Sequence, residues 1–431
     1  MKIILSILPL FWPELPPLGA FYIKGFLSDK NIDCKVIDYN NFFFSKVSKE
    51  LQKEWKQSCN HILENQILNI LKTDFKDDFE EMLTSLSSYD IAGFTCYKSN
   101  FDITIEIINL VKKRNPDIKI ILGGPQIAGL YFKHKNNLAG LYPIVDHFVI
   151  GEGENSVYEI LKNIKTDKIF VFNETAHSFS PDFSDINLND YPRKSSIPVL
   201  LSRGCIKKCR FCSERLLYRK YKTLNIENLI EQIKSHSANG ILNFIFFDSL
   251  INGNLKILEE FCDSIIFNFG SIKWEAQLAI RTDMPEELFK KIKQSGCYHL
   301  FIGLESGSDD TLKRMNKGYS SNEALSFFEK LKMHDLSFGV SLITGFPGET
   351  EHTFKESLDF IINNKHVIPK IEQINPFVYY NGIPLSEEES LKSADENYKR
   401  AIYFIEQIKK AGIKHTKAYL LNLIGNQNKL I

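Results

Sequence analysis

Excess charge of either sign is missing: 53 lysines and arginines stand against 53 aspartates and glutamates in 431 residues. A chain so balanced has no global field to gather nucleic acid or an anionic membrane, so a small-molecule or peptide substrate becomes the expected partner. Long apolar runs are missing too. The opening MKIILSILPLFW is broken by Pro9 and closely followed by Pro13, Pro16 and Pro17, with no small-residue cleavage site after it. It therefore reads as a buried strand and loop, not as a signal segment or a membrane span. Cysteine is sparse, at eight residues, and without a secretory signal that points to the reducing cytoplasm. What remains, 43% hydrophobic and 25% charged, is ordinary globular composition, long enough for two or three domains.

Three of the eight cysteines stand together, in Ser202-Arg203-Gly204-Cys205-Ile206-Lys207-Lys208-Cys209-Arg210-Phe211-Cys212-Ser213-Glu214. This Cx3Cx2C spacing fits neither helix nor strand periodicity and lies among charges, so packing explains it poorly. Three thiolates from one short loop suit the corners of an iron-sulfur cubane, leaving one iron open to a substrate or cofactor. Arg203, Lys207, Lys208 and Arg210 are expected to favour the thiolate form. A zinc ion with a fourth ligand from elsewhere is the rival use of such a loop, and three buried thiols the plain one. Cys34, Cys59, Cys96, Cys262 and Cys297 are scattered and read as small hydrophobes.

The rest of the chain is α/β. Apolar runs at Lys2–Leu8 and Cys34–Asp38 flank helical spacing at Leu18–Leu27, which predicts a parallel βαβ unit. A lysine- and glutamate-rich helical insertion is expected over about 43–88. Strands then recur at Asp90–Thr95, Lys119–Leu122 and Val145–Ile150. They end in the loop Cys96–Asn100 and in two glycine turns, Gly123-Gly124-Pro125 and Gly151-Glu152-Gly153, at the edge where open parallel sheets bind ligands. This first domain spans 1–165, and 166–197, with one short strand at Lys168–Phe172, reads as a surface connector. From 198 to 385 six strands alternate with helices and end in polar residues, among them Asp248-Ser249, Arg281 and Glu305. That predicts a partial (β/α)6 barrel with its chemistry at the C-terminal face. The last region, 386–431, is expected to be helical: Tyr398, Ile402, Ile405 and Ile408 form a stripe that Gly412 ends, and Tyr419, Leu420, Leu423 and Ile424 follow. It is expected to pack across the barrel or to cover the substrate opening.

The Cx3Cx2C loop, with Phe211 before its last cysteine, resembles the signature of radical S-adenosylmethionine (SAM) enzymes. The resemblance implies a 4Fe-4S cluster on Cys205, Cys209 and Cys212, whose open iron chelates SAM and cleaves it to a 5'-deoxyadenosyl radical, with an electron donor such as flavodoxin or ferredoxin. It further implies SAM contacts from Phe211, from Asp248 and Ser249 in FFDSLINGN, from Arg281 and Glu305 at strand ends, and from Ile343 against the adenine. The familiar Gly-Gly-Glu triplet is missing. PPLGAFYIKGFL, DIAGFTCYKSN, ILGGPQ and VIGEGEN resemble the cobalamin-binding domain that precedes the catalytic domain in many of these enzymes. By that resemblance Gly123, Gly124, Gly151, Glu152 and Gly153 flank the nucleotide tail, and the Thr95–Asn100 loop, with Ser99, lies near the corrin. The Asp-x-His-x-x-Gly motif is missing, and none of His61, His134 or His147 has its setting.

The resemblance therefore implies an N-terminal Rossmann-like cobalamin-binding domain, a partial (β/α)6 TIM-type barrel and a helical tail. The implied activity is a cobalamin-dependent methyltransferase acting on an unactivated carbon or a phosphinate-like phosphorus. A cyclase, a ring-contracting or oxidising enzyme, and a cluster- or cobalamin-binding sensor are the alternatives. Methylthiotransferases that modify tRNA hold a second cluster on three N-terminal cysteines, but the surroundings of Cys34, Cys59 and Cys96 do not resemble theirs.

Overall fold

The structure, a computed structural model, describes residues 1–56, 61–175, 179–385 and 394–416. It divides into two compact units, Met1–Pro198 with Leu216–Arg219, and Val199–Arg215 with Lys220–Ile431. Among the described residues no helix is long and apolar enough to cross a membrane.

The first unit is built on six parallel strands: β1 (Ile3–Ile7), β2 (Cys34–Asp38), β3 (Ile91–Thr95), β4 (Lys119–Gly123), β5 (His147–Ile150) and β6 (Ile169–Val171). Their order is β2-β1-β3-β4-β5-β6. All five residues of β1 are buried, as a central parallel strand covered on both faces requires. The chain goes from β1 to β2 on one side and resumes at β3 on the other, so the topological switch point lies between β1 and β3. Four helices, Tyr39–Lys46, Lys49–Trp55, His61–Asp74 and Lys76–Ser87, fill the insertion. Trp55 anchors it, stacking edge-on against Phe44 and donating to Asn40 Oδ1 at 3.0 Å.

The short strand expected at Lys168–Phe172 is β6, which extends the sheet, but the rest of segment 166–197 is not a plain surface connector: Phe179 and Phe183 are buried against Phe26 and Phe21 of helix Leu18–Asp29. The buried Lys24 of that helix pairs with Asp185 at 2.7 Å and Asp182 at 3.6 Å.

The second sheet carries parallel strands in strict sequence order: β7 (Ser196–Val199), β10 (Asn243–Phe246), β11 (Lys273–Leu278), β12 (Cys297–Glu305), β13 (Phe338–Thr344), β14 (Lys370–Pro376) and β15 (Lys414–His415). Six are the strands of the partial barrel, and β15 extends the edge beyond β14. A short antiparallel ribbon, β8 (Ser202–Arg203) with β9 (Lys222–Thr223), stands at either end of the cysteine segment. Phe246, Phe261 and Trp274 pack edge-to-face inside the second unit, with centroids 5.1–5.7 Å apart. Helix Ala394–Lys410 buries Ala401, Phe404, Ile405 and Ile408 and packs on β13 and β14. The segments 386–393 and 417–431, with Tyr419, Leu420, Leu423 and Ile424, lie outside the described residues, as does Cys59.

Candidate functional site

The strand β7 runs into the cysteine loop, and its sheet neighbour β10 brings Asp248 beside the loop's start. Asp248 is buried and accepts the Leu201 N–H at 3.0 Å and the Ser202 hydroxyl at 2.5 Å. Burial pushes its carboxyl up to about 7. The sequence expectation gave Asp248 to SAM; in the structure both of its oxygens hold backbone and side chain at the loop's entrance. Ser249, given the same role, donates to Glu214 at the loop's far end.

Two further bonds pin the middle of the loop. Arg210 N–H donates to Met315 O at 3.0 Å, and the Asn316 side chain donates to Lys208 O at 2.8 Å. Cys209 is buried, while Cys205 and Cys212 are half-buried. Burial is the main influence on both half-buried thiols, lifting Cys205 to about 11 and Cys212 to about 12, with each also feeling Cys209. For these two thiols burial outweighs the pull toward the thiolate. On Cys205 the opposing pulls come from the Lys207 N–H and from Lys317, a residue outside the loop. A metal centre must therefore displace protons as it loads. Among the described residues no group of three or more His, Cys, Asp or Glu side chains is placed to hold a metal ion. The donor set itself, three cysteines on one pinned loop, has the chemistry of a cluster that takes one thiolate per iron.

Other strand ends meet the loop. Glu305 ends β12 with a left-handed φ of 71°, accepts the Ser341 hydroxyl at 3.2 Å and lies 3.6 Å from Lys317. Phe211 stands edge-on to Phe346 at 6.4 Å, and Phe346 to Phe377 at 5.4 Å. This joins the cysteine loop to the turn Gly345-Phe346-Pro347-Gly348-Glu349. Arg281 lies within electrostatic reach of Lys207. Its guanidinium is held by Asp283 at 2.8 Å and by the carbonyls of Asn252 at 2.7 Å and Gly253 at 3.0 Å. Ile343 is half-buried in β13, one residue before Thr344 and the turn. Lys317 and Phe346 were not singled out from the sequence, where a buried lysine looks like any surface one.

In the first unit the loops after β1 and β3 meet at the switch point. Asn100 is fully buried and spends its side chain on Leu8 O at 3.1 Å, Thr95 O at 3.2 Å and Tyr97 N–H at 2.8 Å. Ser99 donates to Leu10 O at 2.8 Å. These two residues, expected near a corrin, thus tie one loop to the other. The surface they create includes Phe11 stacked on Tyr97 at 4.2 Å, a pair with no sequence signal. At Gly124 (φ 98°) a side chain would lie 2.7 Å from Cys96 O, and at Gly151 (φ 95°) 3.0 Å from the Phe172 ring. Gly153 gives room to Ile23, whereas Gly123 has only ordinary contacts. Glu152 is buried and accepts the Thr175 N–H at 3.1 Å. His147 lies at the opposite strand end, its ring 2.8 Å from Asp167 O. For a planar cofactor the fit rests on the aromatic pair and the glycine-tightened loops at this switch-point edge.

Comparison with known proteins gives two family matches. The model described as the radical SAM superfamily matches residues 199–361, and the B12 binding domain model matches residues 56–161. The chain is 23% identical to an uncharacterized methyltransferase of Pyrococcus horikoshii, over 80% of this chain and 72% of that one. It is 29% identical to the bacteriochlorophyllide d C-12(1)-methyltransferase of Chlorobaculum tepidum, over 48% and 46%. It is 27% identical to the ribosomal protein uS12 methylthiotransferase RimO of Carboxydothermus hydrogenoformans, over 64% and 62%. The chain thus spans about half to three quarters of these relatives. Its fold is similar to that of the methyltransferase TsrM of Kitasatospora setae, solved with cobalamin and a [4Fe-4S] cluster, at TM-score 0.72, 15% identity and coverage of 90% and 77%. It is also similar to the cobalamin-dependent SAM radical enzyme OxsB, at TM-score 0.63, 18% identity and coverage of 95% and 56%.

Proposed function

We propose that this chain, which belongs to the radical SAM superfamily and carries a B12-binding domain ahead of the catalytic one, is a cobalamin-dependent methyltransferase acting on an unactivated centre of a small molecule or peptide. The observation that carries this reading is the Cx3Cx2C loop, pinned at Leu201, Ser202, Lys208 and Arg210 and joined through Phe211 and Phe346 to the glycine turn after β13. Cys205, Cys209 and Cys212 would hold the cluster, and the loops after β1, β3, β4 and β5 the cobalamin. When bound, the cluster supplies the electron that splits SAM, and cobalamin carries the methyl group. A one-electron donor such as flavodoxin or ferredoxin would serve the cluster.

The protein's own residues set the geometry. Asp248 and Asn316 fix where the loop begins and turns, so the three sulfurs are presented without reorganisation. Phe211, Phe346 and Phe377 wall that side with rings and keep water from a reactive carbon centre. Ile343, Glu305 and Arg281 are assigned to SAM; Asp248 and Ser249 are assigned to supporting the loop.

The methylthiotransferase relatives raise a second reading, a further cluster on N-terminal cysteines. Cys34 begins β2 level with Ile91, whereas Cys96 follows the end of β3. Five residues of strand, roughly 16 Å at about 3.3 Å each, put them at opposite edges of the sheet, which argues against a shared cluster.

The test is anaerobic turnover by the reconstituted protein with SAM, a reductant and added cobalamin. S-adenosylhomocysteine that depends on cobalamin, alongside 5'-deoxyadenosine, is the expected result. Deoxyadenosine alone would favour a cyclase or an oxidising enzyme, and neither product would favour a sensor.

A further inference from the structure

Lysine is almost never fully buried unless it is paired. Lys317 is only 9% exposed. Its carboxylate partner, Glu305, stands at 3.6 Å, beyond the roughly 2.7–2.9 Å of a direct charge-assisted hydrogen bond. Two aromatic rings flank it, Phe211 with its centroid at 5.6 Å and Tyr319 at 5.7 Å, and the Tyr319 hydroxyl also hydrogen-bonds with it. Phe211 immediately precedes Cys212, and Cys209 lies within electrostatic reach of the ammonium.

The backbone commits to this placement. Lys317 sits between Asn316 (φ 58°) and Gly318 (φ 75°), so left-handed residues flank it on both sides. The same turn grips the cysteine loop, through the Asn316 side chain on Lys208 O and through Met315 O under the Arg210 N–H. Tyr319 anchors the turn to the end of β12 by its hydroxyl, 3.0 Å from both Gly303 O and Leu304 O. Gly303 leaves open the space that the Glu305 carboxylate fills; a side chain there would collide with it. A charge on so fixed a frame stays beside the cysteine loop, where a surface lysine would be free to swing away.

We propose that Lys317 is a positioning residue whose ammonium is the built-in counter-charge of the cluster on Cys205, Cys209 and Cys212, with Glu305 and Tyr319 setting how much of that charge the cluster feels. This rests on the proposed function, in which the loop holds a cluster. A cluster gains negative charge on reduction, so a fixed cation raises its reduction potential and a nearby carboxylate lowers it. Lys317 makes the cluster easier to reduce, and Glu305 holds that gain in check.

The experiment is an EPR-monitored potentiometric titration of anaerobically reconstituted protein without SAM, so that no contact to that cofactor enters. Lys317→Met is expected to shift the midpoint potential to more negative values, Lys317→Arg to leave it close to the parent's, and Glu305→Gln to shift it to more positive values. A structural pair alone would not give two shifts of opposite sign. Parental potentials in fully loaded Lys317→Met and Glu305→Gln, or shifts in the same direction, would overturn the inference and leave the proposed function standing. Should Lys317→Met take up no cluster, the sign of the Glu305→Gln shift decides. A parent protein that takes up no cluster would overturn the proposed function itself.

Discussion

Cys209→Ala is expected to yield a folded protein that takes up no 4Fe-4S cluster and forms no 5'-deoxyadenosine. Cys209 is the middle ligand and the only buried one of the three. Losing its sulfur leaves two thiols, too few to hold a cubane that already lacks its fourth. The fold should survive, because the loop is held by bonds that do not pass through the Cys209 side chain. These are Leu201 and Ser202 on Asp248, Lys208 O on Asn316, and Arg210 on Met315 O. Truncating a small side chain there costs about 1 kcal/mol. Cys262→Ala is the control, since Cys262 is buried in helix Leu255–Asn268 away from the loop. Iron and sulfide analysis with product chromatography checks both variants. Parental iron and turnover in Cys209→Ala would contradict the assignment.

Gly345→Ala is expected to lose roughly 2–6 kcal/mol of stability, the sum of left-handed strain and overpacking in a filled site. Gly345 has φ 75°, and a side chain there would run into Asn397 of the C-terminal helix. Asn397 cannot yield cheaply, because turn and helix are tied together. Glu349, 4% exposed, accepts the Gly345 N–H at 2.7 Å and Arg400 at 3.2 Å, while the Thr344 hydroxyl donates to Asn397 O at 3.4 Å. The helix Ala394–Lys410 thus braces the turn, and the turn meets the cysteine loop through Phe346 and Phe211. Denaturant unfolding should show the loss, accompanied by weaker SAM binding. Gly270→Ala, at an exposed position with nothing within 4 Å and no positive φ, should be close to neutral. Equal stability of the two variants would contradict the brace.

The parts of this protein that are legible in its sequence are those set by local pattern. Parallel strands covered on both faces read as apolar runs, so β1, β3, β4, β12 and β13 and their helices are visible. The Cx3Cx2C spacing is visible because it breaks both helical and strand periodicity. The reach of Asp248, Ser249, Asn100 and Ser99 is not legible. Each is a polar residue at a strand end or in the loop after it, and only tertiary contact decides whether it faces a ligand or ties one loop to another. In segment 166–197 only the short strand that became β6 is legible; the docking of the rest is hidden for the same reason, since Phe179, Phe183, Asp182 and Asp185 follow no period, yet pair with Phe26, Phe21 and Lys24. Phe11 and Lys317 gain their importance from partners far away in sequence, Tyr97 and the cysteine loop.

The account stands on the three thiols of one loop holding an iron-sulfur cubane with a vacant corner. Iron and acid-labile sulfide, counted per chain after anaerobic reconstitution, test this most directly. About four of each are expected, and a single zinc ion with no sulfide would contradict it.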